Sequence, residues 1–171
     1  MIKVFEGDMM QSGAEALVNT VNTVGVMGKG LALQFKETFP SNNKAYIEAC
    51  KNKTLSIGKL LSVWDEHVQL GRKLIINFPT KEHWRYPSKY EYIEKGLIAL
   101  RELLQKENIK SIAIPPLGSG NGGLDWNKVK PMIEQALKGL DTEIMIYEPN
   151  ATIKAILQKQ EVKKEIKLTL S

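Results

Sequence analysis

The last six residues of the string Asn77-Phe78-Pro79-Thr80-Lys81-Glu82-His83-Trp84-Arg85-Tyr86 set three basic side chains, Lys81, His83 and Arg85, among two large aromatics, Trp84 and Tyr86. Bases stack on rings while Lys and Arg meet phosphates, so the mixture suits single-stranded nucleic acid. A polar loop with Trp84 packed on the core is the plainer reading. Lys81 is a nucleophile only when its amine is neutral, which takes desolvation or a nearby cation. A solvated charge is the ordinary fate of a loop lysine. His67 lies in a polar turn and is assigned no role.

Two glycine-dense segments accompany that string. One is Pro115-Pro116-Leu117-Gly118-Ser119-Gly120-Asn121-Gly122-Gly123-Leu124-Asp125-Trp126, the other Gly25-Val26-Met27-Gly28-Lys29-Gly30. Each stands between a strand-like run and a helical pattern, the order that turns backbone N–H groups toward a phosphate. Together they suit a diphosphate gripped from two sides. Lys29 tempts a P-loop reading, but Gly30 stands where Ser or Thr would hold magnesium, so a P-loop NTPase is rejected. Asp8 follows the first strand, where a carboxylate accepts from an exocyclic amine such as that of adenine, or simply caps a turn. Asn19 and Asn22 end the second strand, where an amide serves ribose hydroxyls or caps the strand.

The elements that must hold these residues alternate. Strands are expected at 2–5, 16–21, 59–64, 73–78, 111–114 and 142–147. Helices are expected at 30–39, stopped by Pro40, then from an N-cap at Ser41 to about Cys50, at 90–105, and at 127–140 with Asn127 as N-cap. This predicts an α/β layered fold with a mixed or mostly parallel sheet, whose ligands bind beyond strand C-terminal ends. Residues 1–150 read as one domain. Residues 151–171 read as a Lys-rich helical extension or linker stub.

Bulk properties exclude several classes. At 171 residues and 43% hydrophobic, the chain can bury a core. The sequence contains no bilayer-length apolar run, and its start reads as a strand rather than a signal peptide. A lone Cys50 suits a reducing cytoplasm, and two His with one Cys predict no metal cluster. The net charge is +5, but Lys154, Lys159, Lys163, Lys164 and Lys167 against Glu161 and Glu165 supply +3 of it. Whole-chain basicity is thus weak support for nucleic acid, and the 81–86 string is the better argument.

Gly7-Asp8, Val18-Asn19-Thr20-Val21-Asn22, Gly25–Gly30 and Ile114–Gly123 occur in the order of the macrodomain family, which the chain resembles over about residues 1–149. Within that family, Val24–Ala32 and Asn77–Arg85 look like the DarG branch, antitoxin partners of the DNA-ADP-ribosylating toxin DarT. The resemblance implies a three-layer α/β/α sandwich binding ADP-ribose, with no cofactor. It implies that Asp8 meets adenine and Met9 lines its pocket. Gly25–Gly30 and Pro116–Gly123 would wrap the diphosphate and distal ribose, the latter oriented by Asn22 with Asn19 nearby. Lys81 would be catalytic in removing ADP-ribose from thymidine in single-stranded DNA, with His83, Trp84 and Arg85 on the DNA. A related human glycohydrolase pairs its lysine with an aspartate in the second glycine loop. That position is Gly122 here, and Asp125 stands three residues later. In the branch, a further C-terminal part engages the toxin. Two other readings stay open: a non-catalytic ADP-ribose reader, and a hydrolase of protein-linked ADP-ribose or O-acetyl-ADP-ribose.

Overall fold

A computed structural model describes residues 1–149 and Ile166. The expected Lys-rich extension at 151–171 otherwise lies outside the described residues. Six strands form one sheet: β1 (Ile2–Phe5), β2 (Ala16–Asn22), β3 (Leu61–His67), β4 (Gly71–Lys81), β5 (Ser111–Ile114) and β6 (Glu143–Tyr147). Their order is β1-β6-β5-β2-β4-β3, with only β3 antiparallel to its neighbour. The helices are α1 (Gly30–Thr38), α2 (Pro40–Lys51), α3 (Tyr90–Glu107) and α4 (Trp126–Leu137).

Both faces of the sheet are covered, so its central strands read as continuous apolar runs rather than alternating ones. The two-residue side-chain period still sorts them. Ala16, Val18, Ile76, Phe78, Ile112 and Ile114 face α3 and α4, which contribute Ile93, Leu97, Leu100, Leu104, Val129 and Ile133. Leu17, Ile75 and Ala113 face the other way, toward Phe35 of α1 and Phe39. Each such fully buried aliphatic contributes about 1.5–3 kcal/mol. By contrast, the Glu91–Lys95 pair on α3 is exposed and screened, and adds little. The result is an α/β/α sandwich.

Three local expectations are corrected. Pro40 does not merely stop α1; it opens α2 at the first helical position, where its missing N–H costs nothing, and Phe39 rather than Ser41 is the cap residue. Asp125, not Asn127, caps α4, its carboxylate accepting from Asn127 N at 3.0 Å. The fourth strand runs past Phe78 to Lys81.

The extension of β4 matters for the site. Val21 pairs with Pro79, yet Asn22 pairs with Lys81, so Thr80 is an extra residue in the ladder. Such a bulge re-aims the side chain that follows. Pro79 is tolerated because the β3 ladder on that side has already ended at Leu61 and Asn77. Since β5, β2 and β4 are adjacent and parallel, their C-terminal ends bring the two glycine loops and Lys81 to one edge of the sheet.

Candidate active site

Hydrogen bonds knit the three segments together. Thr23 Oγ1, at the start of the first loop, donates to Glu82 O at 2.9 Å. Lys81 Nζ donates to Asn121 O of the second loop at 3.0 Å and reaches Trp84 O at 3.5 Å. Partial burial, and then the neighbouring charge of Lys29, push the Lys81 pKa below the ordinary lysine range. A lysine beside a second cation and partly withdrawn from water gives up its proton more readily than an ordinary one.

The first loop is shaped by Asn22. Its Oδ1 accepts from Val24 N, Gly25 N and Val26 N at 3.1, 3.2 and 3.3 Å, and its Nδ2 donates to Val26 O at 2.8 Å. Tyr46 Oη donates to Asn22 O at 2.7 Å and lies 3.0 Å from Oδ1. Burial raises the Tyr46 pKa far above the usual tyrosine range, so the phenol remains a donor. The Asn22 amide, expected at the distal ribose, is therefore engaged in holding the loop. Gly25 has φ +91°, and its missing Cβ faces Cys50. At the loop's end, Lys29 offers no side-chain cap to α1, so the first N–H groups of that helix are open to an anion.

The second loop differs. Asp125 occupies the N-terminus of α4, so a phosphate here would meet loop N–H groups rather than the helix end. Ser88 N donates to Gly122 O at 3.0 Å, and Leu124 N donates to Gly118 O at 2.9 Å. A Cβ on Gly122 would run into Gly118 O and Ser88 Oγ. The packing thus explains why no aspartate occupies position 122. Asp125 is committed to its cap, and among the described residues Lys81 makes no ion pair.

Most of the other expected residues fall into two groups, with Pro116 and Ser119 half-buried between them. Val26, Gly28, Lys29, Gly30, Gly120, Asn121 and Gly123 are exposed along the loops. Met9, Asn19, Met27, Leu117, Gly118 and Gly122 are buried, so they form the walls beneath. Asn19 points under α2 because of its strand parity, and its Nδ2 donates to Asn77 Oδ1 at 3.2 Å. Asn42 and Asn77 extend this buried amide chain, which sequence reasoning missed. Strand parity was its signal, since positions 17, 19 and 21 share a face. Asp8 is exposed and caps a short 3-10 turn at Met9–Gln11, accepting from Met10 N at 3.0 Å. Tyr147 is close enough that burial, and then Asp8, raise its pKa.

Beyond Lys81 the string turns outward. The Trp84 side chain is 44% exposed. His83 stacks on it at 5.2 Å, and the Arg85 guanidinium lies 4.6 Å from its ring centre. Among the described residues no cluster of His, Cys, Asp and Glu could hold a metal, and no helix is long and apolar enough to cross a membrane.

The Macro domain family matches residues 18–133. A Thermus aquaticus DNA ADP-ribosyl glycohydrolase is 49% identical over 156 residues, covering 91% of this chain and 43% of that protein. The macrodomain of Mycobacterium tuberculosis DarG superposes with a TM-score of 0.82 at 52% identity, over 87% of this chain and 98% of the other. Thermosipho africanus DarTG, solved in complex with ADP-ribose, gives a TM-score of 0.82 at 40% identity, over 86% and 41%. The chain spans less than half the length of the curated DNA ADP-ribosyl glycohydrolases it matches. With a family match over most of its length, the chain belongs to the macrodomains.

Proposed function

We propose that this chain is a DNA ADP-ribosyl glycohydrolase, freeing ADP-ribose from thymidine in single-stranded DNA as antitoxin to a cytoplasmic DNA-ADP-ribosylating toxin. The observation that carries the reading is Lys81, with its lowered pKa and its amine held between β4 and the second glycine loop. About half of the residues are shared with proteins named for this activity.

In this reading the open N–H groups of the Gly25–Gly30 loop and of the second loop hold the diphosphate, with Lys29 adding charge. Asp8 meets the adenine amine above a wall containing Met9. Asn19 and Asn22 support the loops that enclose the distal ribose. His83, Trp84 and Arg85 lie toward the DNA.

The Lys81 lone pair attacks the anomeric carbon, and the electron pair of the C–N bond leaves with the thymine nitrogen, which takes up the proton that Lys81 sheds. Water then cleaves the bond to Nζ and yields ADP-ribose. With Gly122 in place of an aspartate, and Asp125 engaged in its cap, the lysine acts without a protein carboxylate partner.

The test is release of ADP-ribose from a single-stranded oligonucleotide ADP-ribosylated on thymidine, by the wild type and by Lys81→Ala, with calorimetry of ADP-ribose on both. Release by the wild type alone, with binding by both, is expected. Binding by both with release by neither would mark a reader, or an enzyme for another linkage.

A further inference from the structure

The rim of the second glycine loop continues beyond Lys81. Three contacts tie the 81–90 segment to the 121–125 segment in matching order. Lys81 Nζ donates to Asn121 O at 3.0 Å, Ser88 N to Gly122 O at 3.0 Å, and Asp125 N to the Tyr90 hydroxyl at 3.1 Å. The two stretches therefore run side by side, away from the lysine.

The far part of this rim carries rings and cations that the ADP-ribose site does not use. Tyr86 is 61% exposed and Tyr90 37% exposed. Lys128 Nζ stands 5.7 Å from the Tyr90 ring centre, and Lys89 Nζ 5.6 Å from that of Tyr92. The carboxylates closest in sequence are engaged elsewhere: Asp125 caps α4, and Glu91 pairs with Lys95 at 2.8 Å. Among the described residues, neither Lys89 nor Lys128 makes an ion pair. His83 lies against both Trp84 and Tyr86, at 5.2 and 5.1 Å, but Trp84 is the poorer platform because the Arg85 guanidinium covers it as well, while Tyr86 is the more exposed ring.

Exposed rings beside unpaired ammonium groups match the two recurring parts of a single strand, a flat base and a phosphate. A duplex keeps its base faces stacked inside and leaves the rings unused. An acidic peptide would meet the lysines but not the rings.

We propose that Tyr86, Lys89, Tyr90 and Lys128 form a track for the single-stranded DNA that flanks the modified thymidine on one side. The direction of the track rests on the glycohydrolase reading of Lys81; its ligand, unmodified strand, does not.

The experiment follows fluorescence anisotropy of a labelled oligothymidylate of about twelve nucleotides, within the length one such groove covers. Wild type, Tyr86→Leu and Lys128→Ala are compared across a salt series, with a duplex of the same length and polyglutamate as competitors. Turnover is followed on ADP-ribosylated thymidine nucleoside and on an ADP-ribosylated oligonucleotide. Both replaced side chains are exposed, and melting temperatures verify that the variants fold.

Wild type is expected to bind the single strand ahead of both competitors, and Tyr86→Leu to weaken it by about tenfold. Lys128→Ala should lower the slope of log affinity against log salt by about 0.7, one phosphate's worth. Both variants should slow the oligonucleotide reaction and leave the nucleoside reaction unchanged. Equal competition by duplex or polyglutamate, or wild-type affinity in both variants, overturns the track while leaving the glycohydrolase reading intact. If wild type turns over neither substrate, that reading fails, and the anisotropy series still decides whether the track exists.

Discussion

Lys81 and Asn121 are joined by a hydrogen bond of 3.0 Å, from Nζ to the backbone carbonyl, which fastens the end of β4 to the second glycine loop. The same amine lies near Lys29 of the first loop, whose charge helps to lower its pKa. One side chain thus senses both loops, and a change in either should reach it.

The first prediction concerns that coupling. A nucleophilic Lys81 must be neutral, so kcat should rise with pH through the Lys81 pKa and level off above it. Burial and Lys29 place this limb lower than an ordinary lysine would give. Replacing Lys29 by Met removes a positive charge that disfavours the ammonium. The Lys81 pKa then rises, and the limb moves to higher pH. Below the limb, each unit of displacement costs about tenfold in neutral amine. Lys29→Arg keeps the charge and should leave the limb in place. The measurement is kcat against pH at saturating substrate; a rate that falls with rising pH would make Lys81 a proton donor instead.

A second prediction separates two glycines of one loop. A Cβ on Gly122 has no room beside Gly118 O and Ser88 Oγ, whereas one on Gly120 meets nothing within 4 Å. Gly122→Ala should cost about 1–3 kcal/mol of stability, as overpacking does, and should displace Asn121 O from Lys81. Gly120→Ala should stay within about 0.5 kcal/mol of wild type. Its methyl would stand in open space, where the proposed function puts the diphosphate, so its loss should appear in ADP-ribose affinity. Thermal melts and calorimetry on the pair check this. Unchanged affinity in Gly120→Ala would remove the diphosphate from that loop.

Much of this architecture was legible in the residues. Strand-loop-helix order at both glycine segments marked the sheet edge where the two loops gather, because apolar runs, glycines and helical period are local signals. What escaped depended on pairing. The extra residue at Thr80 exists only relative to β2, so nothing within 77–86 announces that Lys81 will stand opposite Asn22. Asn19 reads as a ligand amide at a strand end until α2 covers its face and gives it Asn77 as partner. Asp125 and Asn127 are both competent caps, and only the loop's exit decides that Asp125 is used. Pro40 shows the same ambiguity, since proline ends one helix as readily as it opens the next.

The last prediction tests whether the first loop is held from behind. Tyr46 Oη meets both oxygens of Asn22, and Asn22 Oδ1 in turn receives three loop N–H groups. Tyr46 is buried, and besides Asn22 its hydroxyl lies against the Gly25 and Val26 backbone from behind the loop. Tyr46→Phe removes one donor and takes from the buried Asn22 backbone oxygen its phenol partner, a cost of about 1–3 kcal/mol. Asn22→Ala frees Val24 N, Gly25 N and Val26 N together, so its effect on ADP-ribose affinity should be larger. If Tyr46 acts on ligand only through Asn22, the two losses in affinity will not add: Tyr46→Phe should cost little in the Asn22→Ala background. Calorimetry on the four proteins of this cycle measures the coupling. Full additivity would mean that Tyr46 acts on the loop by a route other than Asn22, such as its contacts with the Gly25 and Val26 backbone.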